Sequence, residues 1–383
     1  MKTPLAWLQL THEKTRLLVA LAGITFADVL MFMQLGFRDA LFNSSIRLHE
    51  SLQGDIFILN SKTDTLTSVR SFSQRRLYDI LGVNQVENVT PVYIGVATWK
   101  NPLERTTRNI FTVGLNPEKN VINLPGIIKN ISLTRQQDVV LFDQLSRKEF
   151  GPIPELFNSG KTVKVEVGNR KIKVGELFAV GTSFGADGTI VTSDVNFLRL
   201  FPNRKEGLID IGVIKLKPNA KLEETLSFLK QEFAREDITF YTQEEFINHE
   251  KSHWKNRTAI GFIFTLGTIM GFIVGTVIVY QILYTDVADH LPEYATLKAM
   301  GYSDFYLLTV VFQEAIILGC IGFIPGFSFS IFLYHNAAKA TGLPILMVTS
   351  RAITVLILTI IMCCISGIVA VGKLRAADPA DIF

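Results

Sequence analysis

Four long apolar runs constrain this chain more than any other feature: Leu17 to Phe37, Ala259 to Tyr284, Phe305 to Tyr334 and Ala352 to Val371. Each supplies about 20 residues or more, and a helix rising about 1.5 Å per residue then crosses the hydrocarbon core of a bilayer. A cleaved signal peptide is the competing reading of the first run. That run is too long for the apolar segment of a signal peptide and lacks a clear small-residue cleavage site, so it reads as a retained helix. Ahead of it, residues 1–16 interleave Leu5, Trp7, Leu8 and Leu10 with Gln9, His12, Lys14 and Arg16, the pattern of an amphipathic helix lying among lipid headgroups.

Between the first two runs the hydropathy falls, and residues 38–258 read as one soluble insertion, large enough for one big or two smaller domains. Its two ends repeat one order. Asp55 to Leu59, Gln74 to Leu81 and Pro91 to Trp99 read as strand, helix, strand, and so do Asp210 to Leu216, Leu222 to Arg235 and Ile238 to Tyr241. Brought together they make an α+β subdomain next to the membrane, from about 50–108 and 204–245. The middle, about 109–203, is β-rich: Val163, Val165 and Val167 alternate with charged residues, Gly168-Asn169 offers a hairpin turn, and Ile172 and Val174 resume the alternation.

Composition excludes some functions. With 48% hydrophobic residues and a net charge of +3, the chain lacks the concentrated basic surface of a nucleic-acid binder. Cys320, Cys363 and Cys364 all fall in apolar runs and read as small buried hydrophobes. The insertion has no cysteine, hence no disulfide.

Two strings match catalytic motifs, and one motif is absent. Gly181-Thr-Ser-Phe-Gly185 matches the G-x-S-x-G nucleophile elbow, but Ala186 to Thr189 reads as a turn into a strand where the elbow requires a helix. His249-Glu-Lys-Ser-His253 is an H-E-x-x-H string, which on a helix would make a zinc protease; beside Trp254, Lys255 and Arg257 it reads instead as an interfacial belt. No G-x-x-x-x-G-K-[ST] occurs, so the chain has no phosphate-cradling loop and any ATP it uses is bound by a partner. We expect no catalytic residues, no metal site and no cofactor in this chain.

Within the membrane runs, Gly267, Gly271 and Gly275 are spaced by four and put three side-chain-free positions on one helix face, a packing or dimer face. Asp28 lies near the middle of the first run, where a charge is costly unless it is neutral, paired or facing a cavity. Its expected partner is Gln281 or Glu314, or else a neighbouring hydroxyl. Pro325 is expected to kink the third helix.

The polar gap at 285–304 contains Leu291-Pro-Glu-Tyr-Ala-Thr-Leu-Lys-Ala-Met-Gly301. Glu293, Leu297 and Met300 share a helical face and Gly301 is placed to stop the turn, so a short amphipathic helix is expected at the membrane surface. With Phe312-Gln-Glu-Ala315 and Gly319-Cys-Ile-Gly322 behind it, this stretch resembles the coupling helix and third membrane helix of the FtsX/MacB-type ABC permeases, and within them the DevC-type permease subunits of cyanobacterial heterocyst exporters. The resemblance extends to Leu5 to Leu10, Arg16 to Leu18, Gln34 to Gly36, Phe150 to Pro152 and the Ala377 to Ala380 tail.

That resemblance implies a four-helix α+β membrane protein with a two-part, MacB-like extracytoplasmic domain and a short cytoplasmic tail at 372–383. It also implies a homodimer in the bacterial inner membrane, in contact with membrane lipid. A cytoplasmic ATPase dimer (DevA-like) would hold ATP and Mg, a periplasmic adaptor (DevB-like) would lead to a TolC-like outer-membrane channel, and the cargo would be envelope glycolipid. The contact with the ATPase is expected at Glu293, Leu297, Lys298 and Gly301. Lysine and arginine counts near the spans do not decide orientation; discounting the long insertion leaves a preference for cytoplasmic termini, the direction the resemblance also gives. Two other readings are an FtsX-like mechanical signalling subunit acting on a periplasmic partner and the zinc protease. Asp286, Asp289 and Asp304 flank the coupling stretch, from which a basic groove on the ATPase is expected.

Overall fold

The computed structural model describes the chain except residues 1–6, 8, 9, 11, 13, 120, 234–236, 294, 295, 297–299 and 376–383, and gives the backbone alone at 304, 307 and 373–375. The chain divides into two units, one of residues 1–40, 259–340 and 345–383, the other of 41–258 and 341–344. The expected amphipathic helix at 1–16 falls largely outside the described residues.

Among the described residues, four helices are long and apolar enough to cross a membrane: Lys14–Ser45, Ala259–Asp289, Leu308–Thr341 and Thr349–Gly372. In lipid every backbone N–H and C=O must be satisfied within the segment, which a helix does by itself. Each helix extends beyond its apolar run. The first continues through Arg38 and Asp39 to Ser45, and the third, which begins at Asp304, passes through Pro325 without ending. Their buried sides meet in a core of Ile24, Ala27, Val279, Leu283, Leu318 and Met362. Phe262, Ile269, Phe332, Ile357 and Ile361 point outward and are exposed, as a lipid-facing surface requires. Cys363 is buried, Cys320 exposed, and all three cysteines are free thiols.

The other unit is α+β. Its strands are β1 (Ile56–Asn60), β2 (Phe72–Ser73), β3 (Val86–Lys100), β4 (Thr107–Leu115), β5 (Val139–Asp143), β6 (Lys164–Val167), β7 (Arg170–Phe178), β8 (Thr189–Ser193), β9 (Leu208–Ile209), β10 (Ile211–Leu216) and β11 (Ile238–Thr242). Nine of them form one sheet in the order β11-β1-β10-β3-β4-β8-β5-β7-β6, while β2 and β9 pair separately. The long strand β3 joins the two parts that the sequence separates near 109 and 203. Val86 to Val92 pair with β10, and Tyr93 to Lys100 pair with β4. Because Trp99 and Lys100 also pair with Val167 and Glu166 of β6, strands β3, β4, β8, β5, β7 and β6 close on themselves.

Burial follows strand alternation. On one face, Ile56, Ile58 and Ile214 pack with Leu77 of the helix Arg75–Leu81 and with Leu226 and Leu229 of the helix Leu222–Glu232, so the twice-repeated strand-helix-strand order builds one layer pair. On the opposite face, Phe57, Val92 and Val213 pack with Phe246 of the helix Gln243–Ser252. A third cluster fills the closed end with Trp99, Phe142, Phe150, Val165, Ile172 and Ile190. The helix Gln243–Ser252 begins with a capping box, in which Thr242 Oγ1 accepts from Glu245 N at 3.1 Å and Glu245 Oε2 accepts from Thr242 N at 2.9 Å.

Candidate functional site

The gap between the second and third membrane helices carries the expected contact residues. Residues 291–293 and 296 are helical, and Glu293 is exposed. Gly301 has φ of 93°, a left-handed conformation in which a side chain would be strained, and Met300 next to it is 63% exposed. Leu297 and Lys298 lie outside the described residues.

The glycine row of the second helix faces other helices of the same chain. A methyl group at Gly267 would run into the end of Gln34, one at Gly271 would lie 3.3 Å from Met31 Cγ, and one at Gly275 would meet Met362 Sδ and stand 2.7 Å from Ala27 Cβ. The row is therefore filled by the first and fourth helices, most tightly at Gly275. We expect Gly275→Ala to cost about 1–3 kcal/mol through overpacking, and Gly271→Ala to stay within about 1 kcal/mol of the parent. Thermal unfolding of the two variants in one detergent checks this; equal responses would refute the assigned packing.

Asp28 is fully buried, and its Oδ1 lies 2.5 Å from Thr359 Oγ1 on the fourth helix. Of the partners considered from sequence, the one beside it is a hydroxyl, and Gln281 and Glu314 lie elsewhere. Gln281 is exposed, because it lies two residues, about 200° of helical rotation, from each of the buried positions Val279 and Leu283. On the third helix, the position beside Asp28 is Gly326, where an added methyl would stand 2.8 Å from Asp28 Cβ. Glu314, twelve residues earlier on that helix, is about 18 Å further along it. It is fully buried beside Asp286.

Asp286 is also met by Arg16, with Nη1 3.3 Å from Oδ1, and the other arm of Arg16 reaches Asp289. Two of the three acidic flanks of the coupling stretch are thus turned toward a cation of their own chain, which leaves less charge for a partner than the sequence implied. A second ion pair closes the other end of the bundle: Arg351 Nη2 lies 2.9 Å from Asp39 Oδ2, and the guanidinium covers the Tyr334 ring at 5.5 Å. Sequence reasoning placed Arg16 on the polar side of the amphipathic N-terminal stretch and Arg351 only among the charges near the spans, since nothing in their neighbourhood marks a partner hundreds of residues away.

The segment from the second helix to the end of the fourth is where comparison with known proteins finds a family. Residues 260–379 match the FtsX-like permease C-terminal domain. Gly267, Gly271, Gly275, Gln281, Glu293, Leu297, Lys298, Gly301 and Glu314 all fall inside this FtsX-like segment, and Asp28 lies outside it. The soluble unit is similar to the periplasmic region of MacB from Actinobacillus actinomycetemcomitans, at 11% identity over 54% of this chain and 95% of that one, with a TM-score of 0.35. It is similar also to the extracellular domain of the ABC-type transporter YknZ from Gram-positive bacteria, at 15% identity over 49% and 99% of the two chains, with a TM-score of 0.31. A domain of a putative permease protein from Porphyromonas gingivalis aligns at 14% identity over 50% and 89%, with a TM-score of 0.30. No curated protein matches the chain.

The catalytic strings in front of the FtsX-like segment are engaged otherwise. Ser183 sits in a turn, where its Oγ accepts from Ala186 N at 3.1 Å and its own N donates to Ala186 O at 2.9 Å. His249 Nε2 is 2.9 Å from Thr63 O. Glu250 accepts from Trp254 Nε1 at 2.8 Å and from Leu66 N at 3.1 Å. Among the described residues no group of three or more His, Cys, Asp or Glu is placed to hold a metal ion.

Proposed function

We propose that this chain is the permease subunit of an ATP-driven exporter, spanning the bacterial inner membrane with its large soluble unit in the periplasm. The observation that carries the reading is the position of the FtsX-like match, which contains the Glu293 to Gly301 stretch between two membrane helices, with Glu293, Met300 and Gly301 exposed. In this reading the segment receives a cytoplasmic ATPase that holds ATP and Mg, and the helices pass its motion to the periplasmic unit. The chain acts as a homodimer and is not itself an enzyme. Its periplasmic unit engages an adaptor that leads to a TolC-like channel, and the cargo is an envelope glycolipid, as in the DevC-type systems the sequence resembles.

The test is a pull-down in mild detergent from the native host, comparing the parent chain with Leu297→Asp. The parent is expected to bring down an ATPase and a periplasmic adaptor, and the variant to lose the ATPase at least tenfold, since an aspartate cannot fill an apolar contact without stranding its charge. Recovery of the ATPase without an adaptor would favour a mechanical signalling subunit. Equal recovery with both chains would remove the coupling role from this segment.

A further inference from the structure

The closed end of the soluble unit carries a cleft that the coupling role does not use. It holds about 330 Å³ and is open to solvent, between the end of β3, the turn that follows it and the strands β6 and β7. That volume lies in the lower part of the range that small ligands occupy, about 300–1,000 Å³. Lys100, Arg105, Lys164 and Lys171 line the cleft against one carboxylate, Glu166. Five of its eight lining residues are charged, so charge decides what fits.

Strand pairing puts these charges on one face. Lys100 stands opposite Glu166, Glu166 opposite Lys171, and one pair further along Lys164 stands opposite Lys173. The alternate residues Val165, Val167 and Ile172 point the other way, into the core of the closed end. Like charges directly opposite each other destabilise a strand pair, so Lys164 and Lys173 stand together at a cost. Lys100 Nζ donates to Glu166 Oε2 at 2.9 Å. Lys100, and at longer range Arg105 and Lys171, hold the Glu166 carboxyl below its ordinary value. One carboxylate thus serves three cations, and among the described residues Arg105, Lys164 and Lys171 make no ion pair of their own.

The turn after β3 holds Arg105 in place. Asn101 is buried, its Oδ1 accepts from Leu103 N at 2.9 Å and Glu104 N at 3.2 Å, and its Nδ2 donates to Glu149 O at 3.0 Å. Arg105 N donates to Asn101 O at 3.0 Å, and Asn101 N to Thr106 O at 2.8 Å. Arg105 itself takes φ of 64°, a left-handed conformation that a long side chain rarely adopts. Strain of this kind gathers where a side chain is put to use. Glu104, the acid of the same turn, does not line the cleft.

We propose that this cleft binds a compact polyanion, a phosphate-bearing small molecule of the diphosphate class. A single carboxylate would leave most of the excess positive charge unmatched, whereas two adjacent phosphates bring several negative charges into so small a space. Arg105 takes one phosphate through two parallel hydrogen bonds, and Lys164 and Lys171 meet the other as point charges. The bound anion also relieves the repulsion between Lys164 and Lys173. A soluble diphosphate and a lipid with a diphosphate head present the same chemistry. The inference does not depend on the transport reading, since it concerns binding alone.

The test is isothermal titration of the full chain, in a nonionic maltoside and phosphate-free buffer at low salt, with inorganic pyrophosphate as the probe. Saturable binding is expected, roughly tenfold or more tighter than sulfate or a hexaglutamate peptide and weakened by added salt. Lys171→Gln should weaken it about tenfold, the usual loss when a hydrogen bond to a charged group goes. Lys129→Gln, which changes an exposed lysine outside the cleft, should leave it unaltered. Arg105→Gly should also weaken binding about tenfold while thermal stability holds or rises, since glycine accepts the left-handed backbone. Glu166→Gln should tighten binding, the opposite of what damage to the fold would do. Titration with dioctanoylglycerol pyrophosphate separates the two sources: tighter binding than pyrophosphate assigns the site to a lipid head, weaker binding to a soluble diphosphate. Absence of saturation, equal affinity for sulfate or hexaglutamate, or equal losses in Lys129→Gln and Lys171→Gln overturns the proposal.

Discussion

Replacing Asp210 by alanine is expected to destabilise the soluble unit by about 3–5 kcal/mol, the usual cost of removing one partner from a buried ion pair. Asp210 is 1% exposed, just ahead of β10. Its Oδ2 lies 2.6 Å from Arg204 Nη2 and accepts from Ile94 N at 2.7 Å, and its Oδ1 accepts from Ser71 Oγ at 2.8 Å. Arg204 in turn covers the rings of Tyr93 and Phe197 at 5.6 and 5.4 Å. Alanine would remove the only carboxylate on this cation among the described residues and leave the Ile94 N–H without its acceptor. Asp210→Asn keeps the shape and one acceptor oxygen, so it should lose less than half as much. Thermal unfolding of the full chain, followed through hydrogen exchange of β3 and β10, separates the two; equal, small losses would show that the carboxylate is dispensable.

That cluster also shows which parts of the fold a sequence displays. Strands with period-two burial are visible in advance: the Val165 and Ile172 pairing across Gly168-Asn169 appears as expected, and so do the strand-helix-strand orders at both ends of the insertion. These signals are local. The parallel pairings of β4 with β8 and β5 with β7 are not local, because any apolar strand can pair with any other until the connections close. Asp210 itself looks like an ordinary charged residue at the start of a strand, and only Ser71, Ile94 and Arg204, from three separate segments, make it a buried anchor. The membrane helices are the opposite case. Their lengths follow from hydropathy, while the partner of Asp28 depends on helix rotation and depth, which a linear pattern does not fix.

Trp99→Ala is expected to cost about 3–5 kcal/mol, and to do so at one end of the sheet. Trp99 is fully buried near the end of β3, with Phe142 at 5.0 Å and Phe150 edge-on at 6.2 Å between ring centroids, and its Nε1 donates to Phe150 O at 3.0 Å. It also stands opposite Val167 in the pairing that closes β3 onto β6. Alanine would therefore empty the centre of the closed end and weaken its closure at once. The core around Ile56, Ile214 and Leu229 shares no fully buried residue with this cluster and touches it through the half-buried Phe201, so the loss should be regional. Amide exchange in β5, β6 and β7 should accelerate by at least a hundredfold while β1, β10 and β11 change little. Trp99→Phe should keep most of the packing and lose chiefly the bond to Phe150 O, about 1 kcal/mol. Uniform acceleration across all nine strands would instead mean that the sheet unfolds as one cooperative body, with β3 carrying the loss of the closed end into the layer pair it joins.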